Sequence, residues 1–167
     1  MQNGGIFGTT LSGKTTLAKT LTAQIWQRQK MRSLVLDPFG EDWGQHALVF
    51  TDEEKFWKTV WNSQNCLVVV DESGATINRN RDLKPVFTRL RHLGHKLLVI
   101  GHSSADLLPV MRQSLDTLFL FRHSEKSAAV WADVFTDKTI LTCSELKQFE
   151  FLRCRLYKTP AKMKLDL

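Results

Sequence analysis

The sequence predicts an α/β protein with a mostly parallel central sheet flanked by helices, and three observations predict it. Short apolar, β-branched runs such as Leu67 to Val70 and Leu97 to Ile100 recur along the chain, too uniformly apolar to leave either face in water. Stretches with helical spacing separate them, for example Leu17, Leu21 and Ile25 at i, i+4 and i+8. The 167 residues, 43% hydrophobic and 24% charged, suffice for one packed domain, 1–167, but hardly for two.

Taken in order, Ile6–Phe7 reads as a very short first strand, because a glycine loop and then a helix from about Lys14 to Lys30 follow it at once. Ser33 to Asp37 is a second strand ended by Pro38, which cannot continue a sheet ladder. Glu53 to Asn62 has helical character. Cys66 to Val70 is a continuous apolar run closed by Asp71 and Glu72, as expected of a central strand whose carboxyl end opens on a site. Ala75 to Asp82 is polar and basic and reads as a loop, Lys84 to Leu93 as a helix stopped by Gly94, and Lys96 to Gly101 as a strand. Leu107 to Gln113 is a short helix and Thr117 to Phe121 a buried strand. Ser127 to Asp133 is a helix with Trp131 in the core, and Phe149 to Tyr157 is a last strand. The tail 158–167, with a proline and three lysines, reads as loose.

Charge and cysteine usage narrow the class. The formal net charge of +6 favours a polyanionic partner. Cys66, Cys143 and Cys154 are odd in number, far apart and without a CxxC pair, so neither a disulfide framework nor a zinc site is indicated, and a reducing compartment fits best. The apolar runs fall far short of the roughly 20 residues that span a bilayer.

Gly8-Thr9-Thr10-Leu11-Ser12-Gly13-Lys14-Thr15 matches GxxxxGK[ST] between a strand and a helix. Its glycines let backbone N–H groups turn inward around phosphate oxygens while the helix N-terminus adds partial positive charge. Gly8 to Thr16 are therefore the expected ATP cradle, with Lys14 reaching the β and γ phosphates. Thr15 offers a hydroxyl to Mg²⁺, and Asp71 at the end of its apolar strand is placed to hold the same ion. Glu72 directly after it points to hydrolysis, because a carboxylate beside the γ-phosphate can orient and deprotonate water. The competing reading of Asp71 is a helix cap, and of Glu72 a solvated surface residue.

With these residues in hand, the chain resembles the FtsK/HerA superfamily of motor ATPases, and within it the compact genome-packaging ATPases of tailless, membrane-containing or related icosahedral viruses. The resemblance runs from Ile6 to about Arg155. Leu34-Val35-Leu36-Asp37-Pro38-Phe39-Gly40-Glu41 looks like the strand-Asp-Pro-x-Gly-Glu segment of that superfamily. Arg91-His92-Leu93-Gly94-His95 before Leu97 to Ile100 is similar to the segment carrying a trans-acting arginine, which makes Arg91 the arginine-finger candidate and Arg89 the second. His102 stands where relatives usually have a glutamine that contacts the γ-phosphate, and Leu11 where many have glycine. The resemblance implies a RecA-like P-loop core, ATP and Mg²⁺ as ligands, and a homo-oligomeric ring, a hexamer, that translocates DNA. It also implies capsid or virion vertex proteins as partners and a location in the host cytoplasm or at a virion vertex.

Arg79, Arg81 and Lys84, just after the catalytic strand, are candidates to grip a DNA backbone without regard to sequence, and a plain solvated loop is the alternative. Trp26, Trp57, Trp61 and Trp131 sit at helical spacings among aliphatics and read as core or subunit interface. Two other functions stay open: a small P-loop phosphotransferase such as a nucleotide kinase, and a nucleotide-gated virion assembly factor.

Overall fold

In the computed structural model, described over residues 1–72 and 86–166, the apolar runs become one sheet. Its strands are β1 (Asn3–Phe7), β2 (Ser33–Leu36), β3 (Ala47–Phe50), β4 (Leu67–Val70), β5 (Lys96–Gly101), β6 (Thr117–Leu120), β7 (Glu150–Arg155) and β8 (Lys158–Lys164). Among the described residues their order is β3-β2-β4-β5-β1-β6-β7-β8. The first six run parallel, and β7 and β8 turn back as an antiparallel border.

β1, expected only at Ile6–Phe7, begins at Asn3 because its glycines pair with β5 and β6, and two other strands also differ from the sequence expectation. β3 was not foreseen, because its four residues are half-exposed and give neither an apolar run nor a clean alternation. The tail expected to be loose is instead β8, held by pairing with β7 from Glu150↔Lys164 to Arg155↔Lys158. Backbone pairing on an edge asks little of its side chains, so Pro160 and the lysines are tolerated there.

Helix α1 (Lys14–Gln29) leaves the loop after β1 and ends at Lys30 in a left-handed conformation, its N–H returning to the Trp26 carbonyl. α2 (Glu53–Trp61) is capped by Asp52, whose carboxylate accepts from Lys55 N at 2.8 Å. α3 (Val86–Arg89) continues as a 3₁₀ turn, Leu90–Leu93, and stops at Gly94, whose φ of 74° suits glycine. α4 (Pro109–Gln113) and α5 (Glu125–Phe135) follow, and a second 3₁₀ stretch (Lys138–Glu145) leads to β7.

Because both faces of the parallel strands are buried, alternate residues feed two cores. Leu36, Val68, Val70, Val99, Leu118 and Leu120 face α2, α3, α4 and α5, with Trp131 fully buried among them. Ile6, Val35, Val69, Ile100, Phe119 and Phe151 face the other way, where among the described residues α1 is the only helix contributing to the cluster. Among those residues the helices cover the two faces unequally.

Candidate nucleotide site

Parallel strand order decides what meets at the carboxyl edge of the sheet. β5 lies between β1 and β4, so the loop after β1, the acidic pair after β4 and His102 after β5 end side by side. A cleft of about 430 Å³ opens there, lined by Thr10 to Thr16, Asp71, Glu72 and His102.

The loop has the conformation an anion site needs. Gly13 adopts φ 105°, and a side chain on Gly8 would come within 2.5 Å of the Phe121 side chain, so neither position accepts another residue without displacement. α2 and α5 are capped by Asp52 and Ser124, whereas α1 has no side-chain cap and no acidic residue in its first turn. Its first N–H groups are thereby left for a ligand, as helix N-termini that bind phosphate require. Ser12 adds a buried hydroxyl without a hydrogen-bond partner among the described residues. Lys14 is buried and its ammonium donates to the Thr9 carbonyl at 3.0 Å, which stretches it across the loop. Burial pushes its pKa down, offset by the carboxylates of Asp71, Glu72 and Asp106.

Asp71 ends β4 with its carboxyl group largely buried, and desolvation pushes its pKa up to about 6. The Glu72 N–H donates to it at 2.8 Å and acts in the opposite sense, while the charges of Asp37 and Glu72 add to the rise. Glu72 itself has a left-handed backbone, φ 53°, the kind of strain that persists at functional positions. His102 reaches it, Nε2 to Oε1 at 3.2 Å. Asp106 holds the His102 turn, accepting the N–H groups of both His102 and Ser103. Thr15 and Asp71 line one cleft, and among the described residues no cluster of three His, Cys, Asp or Glu side chains could hold a metal. A metal here would take most of its ligands from phosphate and water, which suits Mg²⁺.

Other predicted residues lie elsewhere. Arg89 and Arg91 precede β5, at the amino edge of the sheet, opposite the cleft. Arg89 lies over the Trp61 ring, 5.8 Å from its centroid, and Trp61 stacks on Trp57. Arg91 is exposed, and no ion pair holds it among the described residues. His95 beside them is structural: Nδ1 accepts from Cys66 N at 3.0 Å and Nε2 faces the Val60 carbonyl at 3.1 Å. Arg79, Arg81 and Lys84 fall outside the described residues.

Four cleft residues were not legible as such: Phe39, Glu41, Gln148 and Phe149. Asp37 shapes the turn carrying the first two, accepting from Phe39 N, Glu41 N and the Trp43 indole, and Glu41 pairs with Lys19 of α1 at 2.8 Å. Gln148 donates to the Leu11 carbonyl at 3.2 Å. Leu11, in place of a glycine, has φ 61° and is 81% exposed, and Phe39 beside the same cleft is 77% exposed.

No known protein family and no curated protein matches the sequence. Solved structures do match. The genome packaging NTPase B204 from Sulfolobus turreted icosahedral virus 2, in complex with sulfate, superposes with a TM-score of 0.82 at 18% identity, covering 99% of this chain and 97% of that one. The two chains share a fold over nearly their whole lengths. B204 in complex with AMPPCP gives a TM-score of 0.79 at 17% identity, covering 98% and 97% of the two chains. VirB4 of Thermoanaerobacter pseudethanolicus is similar at a TM-score of 0.73 and 12% identity, covering 99% of this chain and 89% of that one. The α/β reading with a mostly parallel, helix-flanked sheet is thus correct, and the resemblance drawn from the motifs extends to the fold as a whole.

Proposed function

We propose that the chain is an ATPase that drives DNA through a ring of its own copies, and that its task is packaging a viral genome. The observation that carries the ATPase reading is the convergence of the uncapped α1 N-terminus, the stretched Lys14 and the Asp71–Glu72 pair at one sheet edge. Lys14 and the N–H groups of Gly13 to Thr16 bind and orient the phosphates, and their fixed dipoles lose no reorganisation as charge moves toward the leaving group. Thr15 and Asp71 would hold Mg²⁺, which neutralises phosphate charge. Glu72 takes the proton of the attacking water, and His102 orients its carboxylate through the 3.2 Å contact.

Ring action is supported by what a single copy lacks. Arg91 stands at the sheet edge opposite its own cleft, so its guanidinium can complete a site only in a neighbouring copy. Exposed Leu11 and Phe39 flank the cleft mouth, where an apolar partner would cover them. The basic balance and the likeness to B204 support DNA as the transported polymer.

The test is steady-state ATP hydrolysis over a range of protein concentrations, with and without duplex or single-stranded DNA, using Lys14→Ala as blank. A cooperative rise with protein and stimulation by DNA are expected. A flat, DNA-independent rate overturns the motor, and phosphoryl transfer to an added nucleotide identifies a kinase instead.

A further inference from the structure

A second hollow lies apart from the nucleotide cleft. A groove of about 540 Å³ runs beside α1, on the face of the sheet where α1 is the only helix in the core cluster among the described residues. Its floor follows from strand alternation: Phe119 of β6 and Phe151 of β7 point to this face, their rings 6.1 Å apart, and Arg153 continues the same row. Leu17, Leu21 and Ile25 of α1 form one wall, and Met163 and Leu165 the other. On the opposite face, the same two strands are covered by α5 and the second 3₁₀ stretch, through Trp131 and Ile140.

The rim is mostly cationic. Among the described residues Arg28, Lys96, Arg153, Arg155 and Lys164 line the groove against one acid, Asp166. Lys96 is already bonded to Gln29. Arg153 belongs to β7, its Nε buried and without a hydrogen-bond partner among the described residues, and it brings its charge to the groove beside the phenylalanine floor.

We propose that this groove is the docking site for an acidic amphipathic helix of another protein. Apolar side chains of that helix fill the space between α1 and β8 over Phe119 and Phe151, and carboxylates on its flanks meet the cationic rim, the charge of Arg153 included. The six residues of β7 span about 20 Å, so the groove accommodates a helix of about 13 residues. Duplex DNA fits less well, since a phosphate backbone gains nothing from a floor of phenylalanine and leucine. The proposal concerns a different face from the nucleotide cleft and stands or falls independently of the ATPase reading.

The probe is a fluorescent, end-capped peptide of about 14 residues with leucine at i, i+3, i+4 and i+7 and glutamate elsewhere, titrated into the full chain. A version with lysine for glutamate and a duplex DNA are run beside it. Saturable binding of the glutamate peptide is expected, weakened about tenfold or more in Arg153→Gln and in Gln24→Glu, which sets a carboxylate on the α1 wall. Both variants should keep native ATP hydrolysis and native melting. The proposal is overturned if the glutamate peptide does not bind, if the lysine peptide binds equally, or if neither variant weakens binding. Displacement by DNA with the same residue dependence assigns the groove to nucleic acid. Loss of self-association in both variants, without peptide binding, assigns it to a second copy of the chain.

Discussion

Nε2 of His102 and Oε1 of Glu72 lie 3.2 Å apart at the ends of two neighbouring strands, β5 and β4. The pair joins the residue proposed to take a proton from water to the residue that fixes where that proton acceptor points. Glu72→Gln should bind ATP normally and lose about 10²-fold or more in turnover, the usual worth of a general base. His102→Ala should lower turnover about tenfold with little change in KM, and His102→Gln should recover most of it, because an amide still donates to Glu72. Single-turnover hydrolysis on each variant checks this, and native rates in Glu72→Gln would refute the assignment.

Lys14→Ala should abolish nucleotide binding without unfolding the chain, since its side chain spans the loop rather than packing in either core. The native protein should gain about 2.7 kcal/mol of stability at a hundredfold excess of ATP over its Kd, and the variant none. Melting curves with and without Mg-ATP decide it.

Asp71 gives a pH dependence whose sign is opposite to that of most carboxylates. Desolvation raises its folded pKa to about 6 from 3.8, so folding favours the protonated form. The stability this contributes is fully present below pH 3.8 and is lost as pH rises through 6, leaving a cost of about 2–3 kcal/mol at pH 7.5 in the ligand-free protein. Asp71→Asn should therefore melt higher than native at pH 7.5, by an amount that shrinks toward pH 5, while losing Mg²⁺-dependent hydrolysis. Ligand-free melts across pH 5 to 8 measure the difference.

Leu11 and Gly13 both have positive φ, and they should respond oppositely to substitution. Leu11→Gly removes left-handed strain and should be neutral or stabilising by up to about 1 kcal/mol. Gly13→Ala should destabilise by more, because its φ is 105° and a Cβ would meet Leu165 at 2.7 Å. Denaturant midpoints check both. If Leu11→Gly also weakens self-association, its exposed side chain belongs to a contact between copies.

Arg91→Ala should lose DNA-stimulated hydrolysis, and mixing it with Lys14→Ala should restore part of it. Each mixed interface can then combine an intact cleft with an intact arginine. Absence of rescue at every mixing ratio would remove Arg91 from the neighbour's site.

The candidate site residues were legible because the chemistry proposed for them fixes their spacing. The span Gly8 to Thr15, the run ending in Asp71 and the strand Lys96–Gly101 each announce themselves within a few positions, and the structure puts them at one sheet edge. Phe39, Gln148 and Phe149 carry no such pattern: they reach the cleft only through the Asp37 turn and the approach to β7, which tertiary packing sets. β3 and β8 escaped for a related reason, since edge strands are held by backbone pairing and leave side chains free to be half-exposed or charged. The orphaned Arg153 Nε had no signature at all, because basic residues in strands are ordinary until both neighbours of the strand are known.

Gly13 is crowded by Phe149 and Leu165, and Leu165 is anchored by its N–H to the Phe149 carbonyl. The loop around Gly13 is thus closed by residues more than 130 positions further along the chain. During translation the nascent chain has the Gly8–Thr15 loop but lacks the wall against which that loop settles until β7 and β8 have emerged. The seating of that loop therefore waits on a long-range contact, so it should form only when β7 and β8 pair and not by local folding of β1 and α1.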